Sequence, residues 1–147
     1  SKGFKWLKER NGPTWITPHE SEFKRLFPEI NAANRIEASL AAAKLSGSVV
    51  LLKGANSVVA DESGSVWQLG QTAAWVARAG LGDLLAGYAA GVGCMGMAVK
   101  NSCQGDLLAT AMFIHAEASR TAQKGSTATA INKTLGSLTN QIQQVLY

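Results

Sequence analysis

The longest apolar stretch of the chain runs from Leu81 to Val99, with Asp83 near its start and Lys100 just past its end. Leucine, alanine and valine recur there between glycines, which predicts a mostly helical, buried segment. Gln104 to Thr121 repeats the helical period, with Leu107, Leu108, Ala111, Met112, His115 and Ala118 on one side, and Thr129 to Leu146 predicts a last helix. The first half of the chain has shorter periods. Phe4, Trp6 and Leu7 lie among Lys5, Lys8, Glu9 and Arg10 and predict a short helix that Asn11-Gly12-Pro13 ends. Thr14 to Thr17 is β-branched and aromatic and predicts a strand, stopped by Pro18. Glu20 to Phe27 and Asn31 to Leu45 predict helices, the second closed by Gly47. Val49-Val50-Leu51-Leu52 has no polar interruption. Such a run predicts a strand buried on both faces, as in a parallel sheet with helices on either side. Ser57 to Ala60 and Ser65 to Gln68 flank Asp61-Glu62-Ser63-Gly64 and predict a hairpin, and Leu69 to Ala79 a loop. The order of elements gives a layered α/β architecture with flanking helices.

Composition narrows the class. With 147 residues, 46% hydrophobic and 16% charged, the chain suits one globular domain with a real core. The net charge of +4 is scattered over Lys2, Lys5, Lys8, Arg10, Lys24 and Arg25, without interleaved aromatics. That pattern argues against a nucleic-acid binder and suits an anionic small molecule such as a nucleotide. Cys94 and Cys103 are nine positions apart with no histidine between them, so no zinc pattern exists. Free thiols and the lack of a secretory signal predict a cytoplasmic protein. No apolar run is long and uninterrupted enough to predict a membrane span. The chain begins directly on an amphipathic helix without methionine, as the second half of a larger protein would.

Three short motifs carry candidate chemistry. Thr17-Pro18-His19-Glu20-Ser21-Glu22-Phe23 ends a strand and opens a helix. It places His19 at the edge where open α/β sheets bind ligands, or uses Thr17 or His19 as a helix cap aided by Glu22. Leu51 to Ser57 reads LLKGANS: a strand, then Lys53-Gly54 at the same edge, where an ammonium and backbone amides meet phosphates. The alternative is a solvent-facing lysine at an ordinary turn, and no Walker loop is present. Gly80-Leu81-Gly82-Asp83 opens the long apolar helix. Its amides and helix dipole favour an anion, whereas the Asp83 carboxylate suits a general base beside an acceptor hydroxyl, or a cap. His115 reads as a hydrogen-bonded core histidine. Trp67 and Trp75 could flank a base ring, and Asp61 and Glu62 read as the hairpin turn.

Together, GPTWITPHESEFKRLFP, VVLLKGANSVVADESGSVW and ARAGLGDLLAGYAAG resemble the C-terminal half of the ADP/ATP-dependent NAD(P)H-hydrate dehydratases, in the ribokinase-like superfamily. The resemblance implies a ribokinase-like α/β/α layered sheet, of which residues 1–147 would be the C-terminal part. It also implies a reaction: ADP or ATP phosphorylates the hydroxyl of hydrated NADH or NADPH, and phosphate is then eliminated. His19 would contact the hydrated nicotinamide nucleotide. Lys53, Gly54, Ala55, Asn56 and Ser57 would line the adenine nucleotide. Gly80, Leu81 and Gly82 would hold the transferring phosphoryl group, and Asp83 would bind the substrate hydroxyl as catalytic base. A magnesium ion would bridge the phosphates without a dedicated protein metal site.

The sequence departs from the family pattern at several positions. Glu20-Ser21 stands where proline and glycine are usual, Leu81 where threonine or serine is usual, and Ala79 where glycine is common. Leu69-Gly70-Gln71-Thr72-Ala73 replaces an Asn-x-Thr-Gly-Asn type of loop, and Trp75 adds bulk. Two alternatives stay open: a sugar or vitamin-precursor kinase of the same superfamily, and a non-catalytic nucleotide-binding or assembly module. A family domain of twice this length implies an open sheet edge here, and with it a homo-oligomer.

Overall fold

The computed structural model describes residues 4–70, 80–97, 104–122 and 126–146, the last five through their backbone. Trp75, Ala79, Cys103 and most of the loop from Leu69 to Ala79 lie outside the described residues.

The order of elements is α1 (Lys5–Lys8), β1 (Trp15–Ile16), α2 (Glu20–Leu26), α3 (Arg35–Ser46), β2 (Val49–Leu52), β3 (Val58–Ala60), β4 (Val66–Gln68), α4 (Leu81–Met97), α5 (Gln104–Thr121) and α6 (Ala128–Leu146). The sheet runs β1-β2-β3-β4. β1 pairs parallel to β2, whereas β2–β3 and β3–β4 are antiparallel. The sheet is therefore mixed, and only its β1–β2 pair has the parallel arrangement read from the apolar β2. Short connections explain this: five residues between β2 and β3 permit a reversal, whereas the β1–β2 crossover contains α2 and α3.

All four β2 residues are buried, and alternation sends them to two cores. Val49 and Leu51 join Val59, Leu85, Ala89, Leu108 and Met112, on the α4–α5 face. Val50 and Leu52 join Phe23, Phe27, Ala38, Ala42 and Ala60, on the α2–α3 face. α6 packs on the far side of this helix layer: Ile131 and Leu135 meet Leu81, Ile114 and Ala118 of α4 and α5. This is the helix–sheet–helix layering expected of the fold class.

Helix ends follow local chemistry. α3 starts at Arg35 rather than Asn31, because the Asn34 side chain accepts hydrogen bonds from the Ile36 and Glu37 amides. It ends at Gly47, whose φ of 64° is the left-handed region glycine enters freely. In the hairpin, Asp61 Oδ1 accepts from the amides of Ser63 and Ser65 and from the Ser63 hydroxyl, so Asp61 builds the turn as expected. Among the described residues no helix is long and apolar enough to cross a membrane.

Candidate functional site at the C-terminal edge of β1 and β2

Just beyond β1 and β2, His19 and Lys53 form an isolated parallel bridge. The Lys53 amide donates to the Pro18 carbonyl at 2.8 Å. Parallel pairing thus carries the two motifs side by side to one sheet edge. His19 is the N-cap of α2: its Nδ1 accepts from the Glu22 amide at 3.3 Å, and Glu22 Oε2 accepts from the His19 amide at 2.7 Å. The capping reading is therefore correct, and it coexists with the edge position. Glu22 Oε1 also stands 3.2 Å from His19 Nε2, and Oε2 stands 4.0 Å from Lys53 Nζ. The His19 amide, then Lys53, hold the Glu22 carboxyl below the usual carboxylate range.

Lys53 continues the alternation of β2, so its side chain leaves on the α4 face. A Cβ added to Gly82 would lie 3.1 Å from Lys53 Nζ, which puts the ammonium against the first turn of α4. Gly80 has a φ of 86°, and its carbonyl accepts the first helical bond from Leu84 at 3.0 Å. The amides of Leu81, Gly82 and Asp83 thus belong to the first turn, where a helix has no internal acceptor for them. Two positive features converge at Gly82: a helix N-terminus and an ammonium. Their natural complement is an anion. Asp83 is exposed in the same turn.

Two residues of the motifs turn inward. Leu81 is buried with Ile114, Ala118, Ala122 and Ile131, so it anchors the turn and meets the anion side only through its backbone. Ser57 is buried; its hydroxyl donates to the Gly54 carbonyl at 2.9 Å and accepts from the Gly54 amide at 3.1 Å, closing the loop on itself. Gly54, Ala55 and Asn56 are exposed beside Lys53. Trp67 is hairpin and core, packed on the α4–α5 face.

Below the turn, His115 of α5 is buried and hydrogen-bonded to the Leu81 backbone, while no described residue pairs its Nε2. Burial lowers its pKa and the Leu81 contact opposes that shift. A folded pKa below the ordinary 6.5 means that the unfolded chain binds the proton more readily. Stability present above pH 6.5 is then lost as the pH falls below it, before carboxylates respond. Urea melts from neutral pH to pH 5 are expected to show this loss in the wild type and a flatter profile in His115→Gln.

Arg35 was not singled out by sequence motifs, yet it borders the site. Its guanidinium donates to the carbonyls of Leu52, Lys53 and Asn56, each at 2.9 Å. One signal was available: a cation at the first position of a helix opposes the helix dipole.

The family profile described as NAD(P)H-hydrate dehydratase matches residues 2–143. The chain belongs to this family. It is 43% identical to a bifunctional NAD(P)H-hydrate repair enzyme of Synechocystis over 86 residues, 58% of this chain and 16% of that protein. A Gloeobacter violaceus enzyme of the same description is 49% identical over 81 residues, again 16% of its length. An ADP/ATP-dependent NAD(P)H-hydrate dehydratase from Bacillus subtilis, co-crystallized with ATP/Mg2+ and soaked with CoA, superposes with a TM-score of 0.73 at 22% identity. The match covers 90% of this chain and 50% of that one, so the family's ribokinase-like fold is present here as about half of the solved domain.

Proposed function

We propose that this chain carries the nucleotide and phosphoryl-transfer part of an ADP/ATP-dependent NAD(P)H-hydrate dehydratase, as the C-terminal part of one ribokinase-like domain. The observation that supports it most is the Lys53 ammonium at Gly82, one residue from Asp83. Nucleotide phosphates would lie between Lys53 and the Gly80–Gly82 amides, with Gly54 to Asn56 beside them and Ser57 holding that loop closed. Lys53 and the helix N-terminus offset charge on the transferring group. Asp83 receives the proton of the hydrate hydroxyl as its oxygen takes the phosphoryl group from the nucleotide. The phosphate then leaves with the C–O electron pair while a neighbouring C–H gives up its proton to water, restoring the double bond of NADH or NADPH. His19, capped in place by Glu22, borders the nicotinamide side.

Magnesium fits this site as a partner of the nucleotide. Among the described residues no three His, Cys, Asp or Glu gather into a metal cage, and magnesium commonly binds through phosphate oxygens and water with one or two carboxylates. When bound, the ion neutralises phosphate charge.

Calorimetric titration with magnesium and ADP or ATP tests the binding half. Lys53→Ala is expected to weaken affinity by about 10–100-fold, the worth of a charge-assisted hydrogen bond to phosphate. Unchanged affinity in that variant would overturn the placement of the phosphates.

A further inference from the structure

Arg35 reaches the candidate site from the opposite face of the sheet to α4. It is the first residue of α3, and its side chain is 22% exposed. Its Nη2 donates to the carbonyls of Leu52 and Lys53 and its Nε to that of Asn56, while Nη1 stands 4.0 Å from Glu20 Oε2. A Cβ on Gly54 would lie 2.8 Å from Nη2, so any side chain at residue 54 would crowd the guanidinium. The Gly54 carbonyl is taken by the Ser57 hydroxyl.

These contacts have an electrostatic consequence. Four carbonyl oxygens of the loop and its start are bound: those of Leu52, Lys53 and Asn56 by Arg35 and that of Gly54 by the Ser57 hydroxyl. An unbound carbonyl facing a phosphate would repel it. The Lys53 backbone is also fixed on both sides: its amide on Pro18 and its carbonyl on Arg35. With the backbone held, the ammonium has a defined origin from which to reach Gly82.

We propose that Arg35 is a positioning residue for polyphosphate binding: without touching the ligand, it aims Lys53 at the α4 turn and keeps the loop carbonyls turned away from the phosphates. This rests on the nucleotide-binding role given above to Lys53. A planar fork with several donors can hold three carbonyls at once, which a lysine ammonium on a flexible stem does not reproduce.

The test is a double-mutant cycle with a second, ligand-free readout. Arg35→Ala and Arg35→Lys are each expected to weaken ADP binding about tenfold or more. In Arg35→Ala/Lys53→Ala the loss should fall short of the product of the two single losses, since part of the clamp's effect passes through that ammonium. Losses that multiply, or an unchanged affinity in both Arg35 variants, overturn the proposal. Gly54→Ala, which keeps Arg35 and crowds its guanidinium, should reproduce the Arg35→Ala loss; normal binding by a folded Gly54→Ala also counts against the clamp.

The ligand-free readout is acetylation of Lys53 by limiting acetic anhydride, followed by mass spectrometry with the exposed Lys24 as internal standard. Arg35→Ala should raise Lys53 labelling relative to Lys24 several-fold, and methylguanidinium in the buffer should reverse the rise. If the wild type binds no nucleotide, the phosphate placement fails, and labelling alone decides the clamp. A ratio unchanged by Arg35→Ala rejects it, and a rise that methylguanidinium reverses supports it.

Discussion

Asp83→Asn is expected to lower the nucleotide-dependent recovery of NADH or NADPH from the hydrate by about 10²–10⁴, the usual worth of a positioned general base. Nucleotide affinity should stay the same or tighten. The reason lies in the first turn of α4, where Asp83 is the one charge of the wrong sign for an anion. A carboxylate there opposes the phosphate at long range, so removing its charge favours binding while removing the proton acceptor proposed above. Asparagine is nearly isosteric, can still cap a helix and leaves the Gly80 turn intact. Turnover and nucleotide titration on the same preparation separate the two effects. A variant that loses both together would mark Asp83 as structural, and one that keeps full turnover would remove it from the chemistry.

Phe23→Ala is the second large effect, and it acts through the fold. Phe23 is fully buried on α2 and packs against Phe27 with ring centroids 5.0 Å apart and ring planes tilted by 42°. The same cluster contains Val50 and Leu52 of β2 and Ala38 and Ala42 of α3. Truncation removes the ring and leaves a cavity between α2 and the sheet, which costs about 3–5 kcal/mol. For a domain of this size that lowers the melting temperature by about 10 °C. His19 sits one turn ahead of this ring and Glu22 immediately before it, so the capping box and the Lys53 approach should loosen as well. A denaturant midpoint within error of the wild type would show that the cluster does not hold α2.

Residue patterns foretold much of the architecture because burial alternation and end-capping are local. Val49 to Leu52 had no polar face, and the structure buries both of its faces. Gly47, with its left-handed φ, closed α3 as read. α5 has the bounds that its periodicity predicted, and α4 and α6 begin within one residue of theirs. Asn31 misled because two asparagines stand near the helix start: Asn31 Oδ1 accepts from the Ala33 amide in a turn, and Asn34 provides the cap. The mixed sheet was not visible in β2 alone, since burial on both faces does not state a partner's direction.

The site was legible to a different degree. The Pro-His and Lys-Gly motifs each end a strand, and parallel register brings His19 beside Lys53. The approach of Lys53 to Gly82 depends on how α4 packs over the sheet, which no local pattern encodes. Leu81 reads as the loss of a hydroxyl from the turn. In the structure its side chain serves the α5–α6 core instead, and the turn keeps its amides. His115 read as a satisfied core histidine, but a tertiary contact to the Leu81 backbone leaves Nε2 without a described partner. Arg35 was missed because its three acceptors are backbone carbonyls, to which any sequence contributes equally.

The measurement that bears most directly on the central claim is recovery of the reduced-nicotinamide absorbance. Purified NADH hydrate and NADPH hydrate would each be given to the protein with magnesium and ADP or ATP. The proposed activity entails recovery that requires the nucleotide, consumes it in step with product, and largely disappears in Asp83→Asn. Absence of recovery with either hydrate and either nucleotide, or recovery that Asp83→Asn leaves untouched, would contradict it.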